Sequence, residues 1–264
     1  MESTQRIQFL REYGTVRHEE GRGSDDPAYY LALPYRDLSG RNGEQWRIRA
    51  SSFRYLERVI LPPLERSAER PLDILDLGAG NCWMSYRLAL RKHRPFALDI
   101  FADQRDGLGA VRHYPVTFPA LEAQFDQLPF RPATFDLAIF NASVHYSTDL
   151  HETLRQSVEC LRPNGRIIIV DSPIYARPEH GERMIAERLE RFEKLYGFRS
   201  DALCSREYLD RPVLDELSRD LGIRWRVHRV WYGWRWWLRP WKARLQNRRP
   251  PSQFWILEGE LQQS

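Results

Sequence analysis

Apolar positions in residues 45–60 recur at Trp46, Ile48, Phe53, Leu56, Val59 and Ile60. That spacing puts one buried stripe on a helix, and Pro62 and Pro63 predict its end. The pattern then changes. Residues 73–78 read DILDLG, an unbroken apolar run closing in glycine, as expected of a parallel strand buried on both faces. Asn81 is placed to cap a helix over 83–92. Beyond it the pattern predicts a strand over 96–100, a helix or turn over 104–113, and strands over 118–124 and 135–141. A helix over 149–161 and a strand over 166–171 (RIIIVD) follow, with Pro163-Asn164-Gly165 as the turn between them. Helices over 179–196 and 206–221 precede late strands over 225–231 and 254–260. Such alternation implies an α/β fold whose parallel sheet is covered on both faces. Residues 1–70 are polar and helical, with breaks at 21–23, 34 and 40–43. They are expected to cap a core spanning 71–264, in which 224–253 form a late strand and an insertion.

Composition narrows the class. The chain has 264 residues, 42% hydrophobic and 29% charged, as in globular proteins. No apolar run reaches the length of a transmembrane helix, and the amino terminus lacks the apolar stretch of a secretory signal. A cytoplasmic location is the expectation. Cys82, Cys160 and Cys204 form no CxxC pair, so buried reduced thiols are expected. The seven histidines form no HxxxH or HExxH array, so no metal site is expected.

Charge is unevenly placed. Residues 224–249 hold nine Lys or Arg and no acid, although the whole chain nets only +4. Six of the nine tryptophans lie there too. Three readings suit this window: aromatics packed on the core, a membrane-surface segment, or a nucleic-acid surface built on stacking and phosphate contacts.

The stretch most informative for chemistry is Ile74-Leu75-Asp76-Leu77-Gly78-Ala79-Gly80-Asn81. A buried strand delivers a carboxylate, a tight glycine turn, and then a helix start. Gly78 and Gly80 let the backbone pass close to a ligand, at the carboxyl ends of the strands where open α/β sheets bind ligands. A dinucleotide fingerprint would need a third glycine where Trp83 stands. Asp76 suits a cationic ligand better than a pyrophosphate. Asp99 ends the next strand, about 20 residues on, where an acid can hold both ribose hydroxyls.

These blocks, with Gln124-Phe125-Asp126-Gln127-Leu128-Pro129-Phe130 and Leu161-Arg162-Pro163-Asn164-Gly165, resemble the class I, Rossmann-like, S-adenosylmethionine-dependent methyltransferases over residues 71–172. The resemblance implies a seven-stranded, mostly parallel sheet with helices on both faces, a final antiparallel hairpin and an N-terminal helical cap. It implies S-adenosylmethionine as cofactor and no metal. Asp76, Gly78, Ala79 and Gly80 would hold the methionine portion, Asp99 the ribose, and Ile100, Gln124 and Phe125 the adenine, with Asn81 also among the cofactor-binding residues. Asn141 would lie beside the transferable methyl group. Two positions depart from the family pattern: Cys82 stands for the third glycine and Gln124 for an aspartate.

His145 and Tyr146 follow the fourth strand and are the candidates for catalytic contact with the acceptor. His145 suits a general base by its ordinary proton affinity, or packs against the cofactor. Residues 141–144 read NASV rather than the (N/D)PP(Y/F) block that similar adenine-amino and glutamine-amide methyltransferases carry. Tyr35, Trp46 and Arg49, in the cap, are candidate acceptor-pocket residues. The expected acceptor is a small molecule or lipid-like, with membrane contact through 224–249. The alternatives are RNA methylation through the basic window, or cofactor binding without turnover.

Overall fold

The structure, a computed structural model, describes residues 3–262. Helix α1 (Ser3–Glu19) leads through a loop to α2 (Pro27–Ala32) and α3 (Gly43–Tyr55). A π-helical turn (Leu56–Ile60) joins α3 to α4 (Leu61–Ala68). Pro62 and Pro63 therefore open a helix rather than end one. Proline is tolerated in a first turn, where its missing N–H has no intrahelical partner to lose.

The sheet follows: β1 (Asp73–Leu77), α5 (Trp83–Leu90), β2 (Arg94–Asp99), a 3₁₀ turn (Leu108–His113), β3 (Ala120–Glu122), β4 (Phe135–Asn141), α6 (Leu150–Cys160) and β5 (Leu161–Val170). Then come β6 (Ile174–Tyr175), α7 (Pro178–Tyr196), β7 (Leu209–Asp210), α8 (Arg211–Leu221), β8 (Ile223–His228), α9 (Trp234–Trp237), α10 (Arg239–Leu245) and β9 (Ile256–Leu261). The seven-stranded sheet has the order β3-β2-β1-β4-β5-β9-β8. Only β9 runs against its neighbours, pairing antiparallel with both β5 and β8. This is the mostly parallel sheet with a final hairpin that the family resemblance implies.

Local differences have local causes. Residues 161–165 extend β5 instead of forming a separate turn. Their pairing with β4 is irregular, because Asn164 adopts φ +66° and shifts the register between Phe135 and Leu137. The strand expected over 118–124 shrinks to three exposed residues at the sheet edge. The helix expected from 206 begins at Arg211, since the Asp210 side chain caps it and Pro212 sits in its first turn. The residues before it form β7, which pairs with β6 in a small second sheet.

The N-terminal helices do not form a core of their own. Tyr29, Trp46, Phe53, Leu56 and Ile60 share one buried cluster with Ile74, Trp83, Met84 and Ile139. The opposite face of the sheet buries Leu75, Leu77, Leu98, Phe140 and Ile169 against Leu154, Leu217 and their neighbours. All three cysteines are free thiols; Cys82 and Cys160 are buried, but Cys204 is exposed. Among the described residues no helix is long and apolar enough to cross a membrane.

Candidate functional site

The carboxyl ends of β1, β2, β3 and β4 open into one cavity. Its lining includes Gly78, Ala79, Gly80, Asn81, Asp99, Ile100, Gln124, Phe125 and Asn141 from the sheet side. The sheet builds the turn directly: the N–H groups of Gly78 and Ala79 donate to Leu98 O at 2.8 and 3.0 Å. Gly78 sits at φ +75°, and a Cβ there would overlap the side chain of Ser143. Gly80 sits at φ +53°, and a Cβ there would come no nearer than 4.0 Å, to Asp106 O. The two glycines thus serve different ends, close packing at Gly78 and ligand room at Gly80.

Asp99 binds protein before it binds anything else. Its Oδ2 accepts the Gly80 N–H at 2.7 Å and its Oδ1 accepts the Phe101 N–H at 2.8 Å. Burial nonetheless raises its pKa, which these backbone donors oppose. Each carboxylate oxygen keeps a further lone pair for a ligand hydroxyl. Asn81 Oδ1, Asn141 Oδ1 and Trp46 Nε1 are buried polar atoms without a protein partner, and all three residues line the cavity. Unpartnered buried polar atoms of this kind call for a ligand or water. A glycine cradle, free acceptors for an ammonium and a ribose-competent carboxylate fit S-adenosylmethionine.

Helix α1 supplies a wall that the sequence reading did not assign. Phe9, Tyr13 and Arg17 line the cavity at spacings of four residues, one face of the helix. That i, i+4, i+8 recurrence is the signal that could have found them. Tyr13 stacks on Phe9 and meets Phe101 and Tyr146 edge-on at 5.2 and 5.9 Å. Arg17 pairs with Asp106, whose other oxygen accepts from Asn81 Nδ2 at 3.3 Å. Helix α3 contributes Trp46 and Arg49. The Arg49 guanidinium lies 4.9 Å from the Trp46 ring centre, and among the described residues it makes no ion pair. Burial, with Arg22 and Arg17 nearby, lowers its pKa to about 10, so it stays charged at neutral pH. Trp83, which takes the place of a dinucleotide-site glycine, is also in the lining and packs edge-on against Trp46 and Phe53.

Three expected residues lie elsewhere. Asp76 is fully buried behind the turn and accepts from Ser85 Oγ at 2.7 Å, with its Oδ1 unpartnered. Burial pushes its pKa to about 7. It is separated from the cavity because the β1 pleat points it toward α5 (Trp83–Leu90). Tyr35 is 41% exposed. It bonds Glu57 and lies beneath the guanidinium groups of Arg54 and Arg87, away from the cavity. His145 is not in the lining; its Nδ1 lies 3.3 Å from Ser172 Oγ. Burial and the Arg49 charge depress its pKa to about 3. Its neighbour Tyr146 does line the cavity, and burial raises the Tyr146 pKa. Among the described residues no His, Cys, Asp and Glu group has the arrangement of a metal site.

Comparison with known proteins gives a domain match over part of the chain. Residues 75–169 match the methyltransferase domain family. The human mitochondrial arginine-hydroxylase NDUFAF5 is 29% identical over 157 residues, 56% of this chain and 44% of that protein. The malonyl-[acyl-carrier protein] O-methyltransferase of Pseudescherichia vulneris is 26% identical over 163 residues, 56% of this chain and 62% of that protein. The chain thus spans about half the length of these curated relatives. In fold it is similar to a chain from the complex of the Haloferax volcanii Trm112 methyltransferase activator with a proposed methyltransferase. There the TM-score is 0.57 at 18% identity, covering 84% of this chain and 93% of that one. The matched domain is the stretch that builds the glycine turn and the strands beside it, and over those residues the chain is similar to methyltransferases.

Proposed function

We propose that this protein transfers a methyl group from S-adenosylmethionine to a small-molecule or lipid-like acceptor, leaving S-adenosylhomocysteine. One observation carries this reading: a single cavity joins the glycine turn and Asp99 on one side to Trp46 and Arg49 on the other. Gly78, Ala79, Gly80, Asn81 and Asn141 would hold the methionine end. Asp99 would hold the ribose, and Ile100, Gln124 and Phe125 the adenine. S-adenosylmethionine, when bound, supplies an already activated methyl group, so the protein's part is chiefly to position the acceptor.

The proton chemistry of the site narrows the acceptor. A general base should have a pKa near the working pH. His145 has almost no proton affinity there, and burial leaves Tyr13 and Tyr146 strongly protonated. An acceptor that is already nucleophilic, such as a carboxylate, needs no base. The cationic Arg49 lines the cavity, and although the charge of the buried Asp171 acts on it, it makes no ion pair among the described residues, which favours such an anion. The similarity to a protein named as an O-methyltransferase supports an oxygen acceptor.

The test begins with thermal unfolding in S-adenosylhomocysteine, S-adenosylmethionine or NAD. Ligand at ~100 times its Kd adds about 2.7 kcal/mol, a rise of several degrees for a chain this size. A rise with both adenosyl ligands and none with NAD is expected. No rise removes the cofactor assignment. Methyl transfer from labelled cofactor to a panel of carboxylic acids and acyl lipids then tests turnover. Binding without transfer to any of them would leave a cofactor-binding protein that does not turn over.

A further inference from the structure

The structure divides the basic window 224–249 in two. In β8, Arg224 and Arg226 pair with Glu258 and Glu260 of β9, and His228 lies 2.8 Å from Glu258. Those charges are met within the sheet. The second part, from Trp231 through α9 and α10, is different. Trp231, Trp234, Trp237, Leu238, Trp241 and Leu245 are all exposed, Trp234 by 69% and Leu245 by 87%. From Trp234 onward they fall at i, i+3, i+4, i+7 and i+11, one face of a helical run. Arg235, Lys242, Arg244 and Arg248 flank this face, and none of them makes an ion pair among the described residues.

The other side of the segment is anchored. Trp236 packs on Tyr232 and Phe254 at 5.1 and 5.3 Å, and the Arg239 guanidinium lies 3.5 Å from its ring centre. The Tyr232 hydroxyl meets Ser52 Oγ at 2.8 Å and donates to Phe254 O. Ser52 belongs to α3, which also carries Trp46 and Arg49. The exposed face is therefore a fixed surface, tied to the helix that lines the cavity.

We propose that this face docks the protein on an anionic lipid bilayer, with the α9–α10 run lying in the plane of the interface. Indole rings favour the boundary between headgroups and acyl chains, having an apolar body and a polar N–H. Leu238 and Leu245 add aliphatic surface that suits acyl chains and can neither stack on a base nor hydrogen-bond to one. Trp231 and Trp237 each meet Trp234 edge-on, at 5.0 and 5.8 Å, which leaves a joined apolar surface rather than separate stacking platforms. The flanking cations complement anionic headgroups. The docking does not depend on the methyl-transfer reading.

Flotation of the full chain with vesicles tests it. One set is phosphatidylcholine alone, the other phosphatidylcholine mixed with phosphatidylglycerol. Binding to the mixed vesicles at least roughly tenfold tighter than to the neutral ones is expected. The triple variants Trp234→Ser/Trp237→Ser/Trp241→Ser and Arg235→Glu/Lys242→Glu/Arg244→Glu alter exposed side chains only. Each should keep the wild-type melting temperature and lose most of the vesicle binding. Absence of flotation with both vesicle types overturns the proposal, as does binding that survives the tryptophan variant. Tighter, salt-sensitive binding to a single-stranded RNA oligonucleotide than to vesicles would assign the face to nucleic acid instead.

Discussion

The carboxylate of Asp99 accepts the Gly80 backbone N–H at 2.7 Å, so the residue that would hold the ribose also holds the glycine turn in place. The same carboxylate accepts Phe101 N–H, which fixes the start of the loop after β2. Replacing Asp99 therefore does two things at once. Asp99→Ala should weaken S-adenosylhomocysteine binding by about 1.5–3 kcal/mol through lost charge-assisted bonds, and should lower the melting point by freeing two backbone donors. Asp99→Asn should recover stability better than affinity, since an amide offers one acceptor oxygen. Calorimetry and thermal melts on both variants read the two effects. Unchanged affinity in Asp99→Ala would remove the ribose assignment.

Gly78 and Gly80 should fail differently. Gly78→Ala brings a Cβ into Ser143 and keeps a positive φ. Strain and overpacking together should cost about 2–4 kcal/mol of stability. Gly80→Ala meets only Asp106 O, at 4.0 Å, so its cost to the fold should stay near the roughly 1–2 kcal/mol of the left-handed conformation. Its cost to cofactor affinity should be the larger effect. Chemical denaturation beside ligand titration separates them; equal losses at both positions would refute the division of roles.

The sheet was legible because β1 and β4 are buried apolar runs of the kind a covered parallel sheet requires, as in Asp73–Leu77. The glycine turn and Asp99 were legible because their backbone geometry constrains residue type. The α1 wall was missed because its face is built from Phe9, Tyr13 and Arg17. Aromatics and a cation lining a cavity do not form the aliphatic stripe that marks a core-facing helix. Tyr35 was misplaced because an aromatic ring beside arginines reads alike whether it stacks on Arg87 at the surface or faces a ligand. Asp76 was assigned to the cofactor from the charge of its carboxylate and from the family resemblance, and the pleat turns it toward Ser85 instead.

His145 should be dispensable as a base. With a pKa near 3, its imidazole is neutral throughout the physiological range, and it does not line the cavity. His145→Asn should change kcat by less than the roughly 100-fold that loss of general-base catalysis entails, with the pH profile unmoved. A larger loss together with a shifted profile would restore the catalytic role.

Arg49 should act on the acceptor. Arg49→Met keeps the length of the side chain above Trp46 but removes the charge. For an anionic acceptor KM should rise by about 10–150-fold, the equivalent of about 1.5–3 kcal/mol for a charged hydrogen bond. Binding of S-adenosylhomocysteine should change little. If the variant instead loses S-adenosylhomocysteine while binding 5′-methylthioadenosine normally, Arg49 holds the carboxylate of the cofactor and not the acceptor.

Asp76 should make stability depend on pH in a predictable direction. Its pKa rises from 3.8 to about 7 on folding, chiefly through burial. Below 3.8 the group is protonated in both states and imposes no penalty. Between 3.8 and about 7 the unfolded chain releases a proton that the folded chain keeps, so stability falls as pH rises through this window. Above about 7 the folded protein carries a buried charge whose one side-chain donor among the described residues is Ser85, at a cost on the order of a few kcal/mol. Asp76→Asn can still accept from Ser85 and cannot ionise. It should match wild type near pH 4 and exceed it in melting temperature at pH 8, with little change in cofactor affinity because Asp76 lies behind the turn. A difference between the two proteins that stays constant from pH 4 to pH 8 would mean that Asp76 is ionised throughout. In that case a cation, supplied by ligand or protein, must reach its unpartnered oxygen.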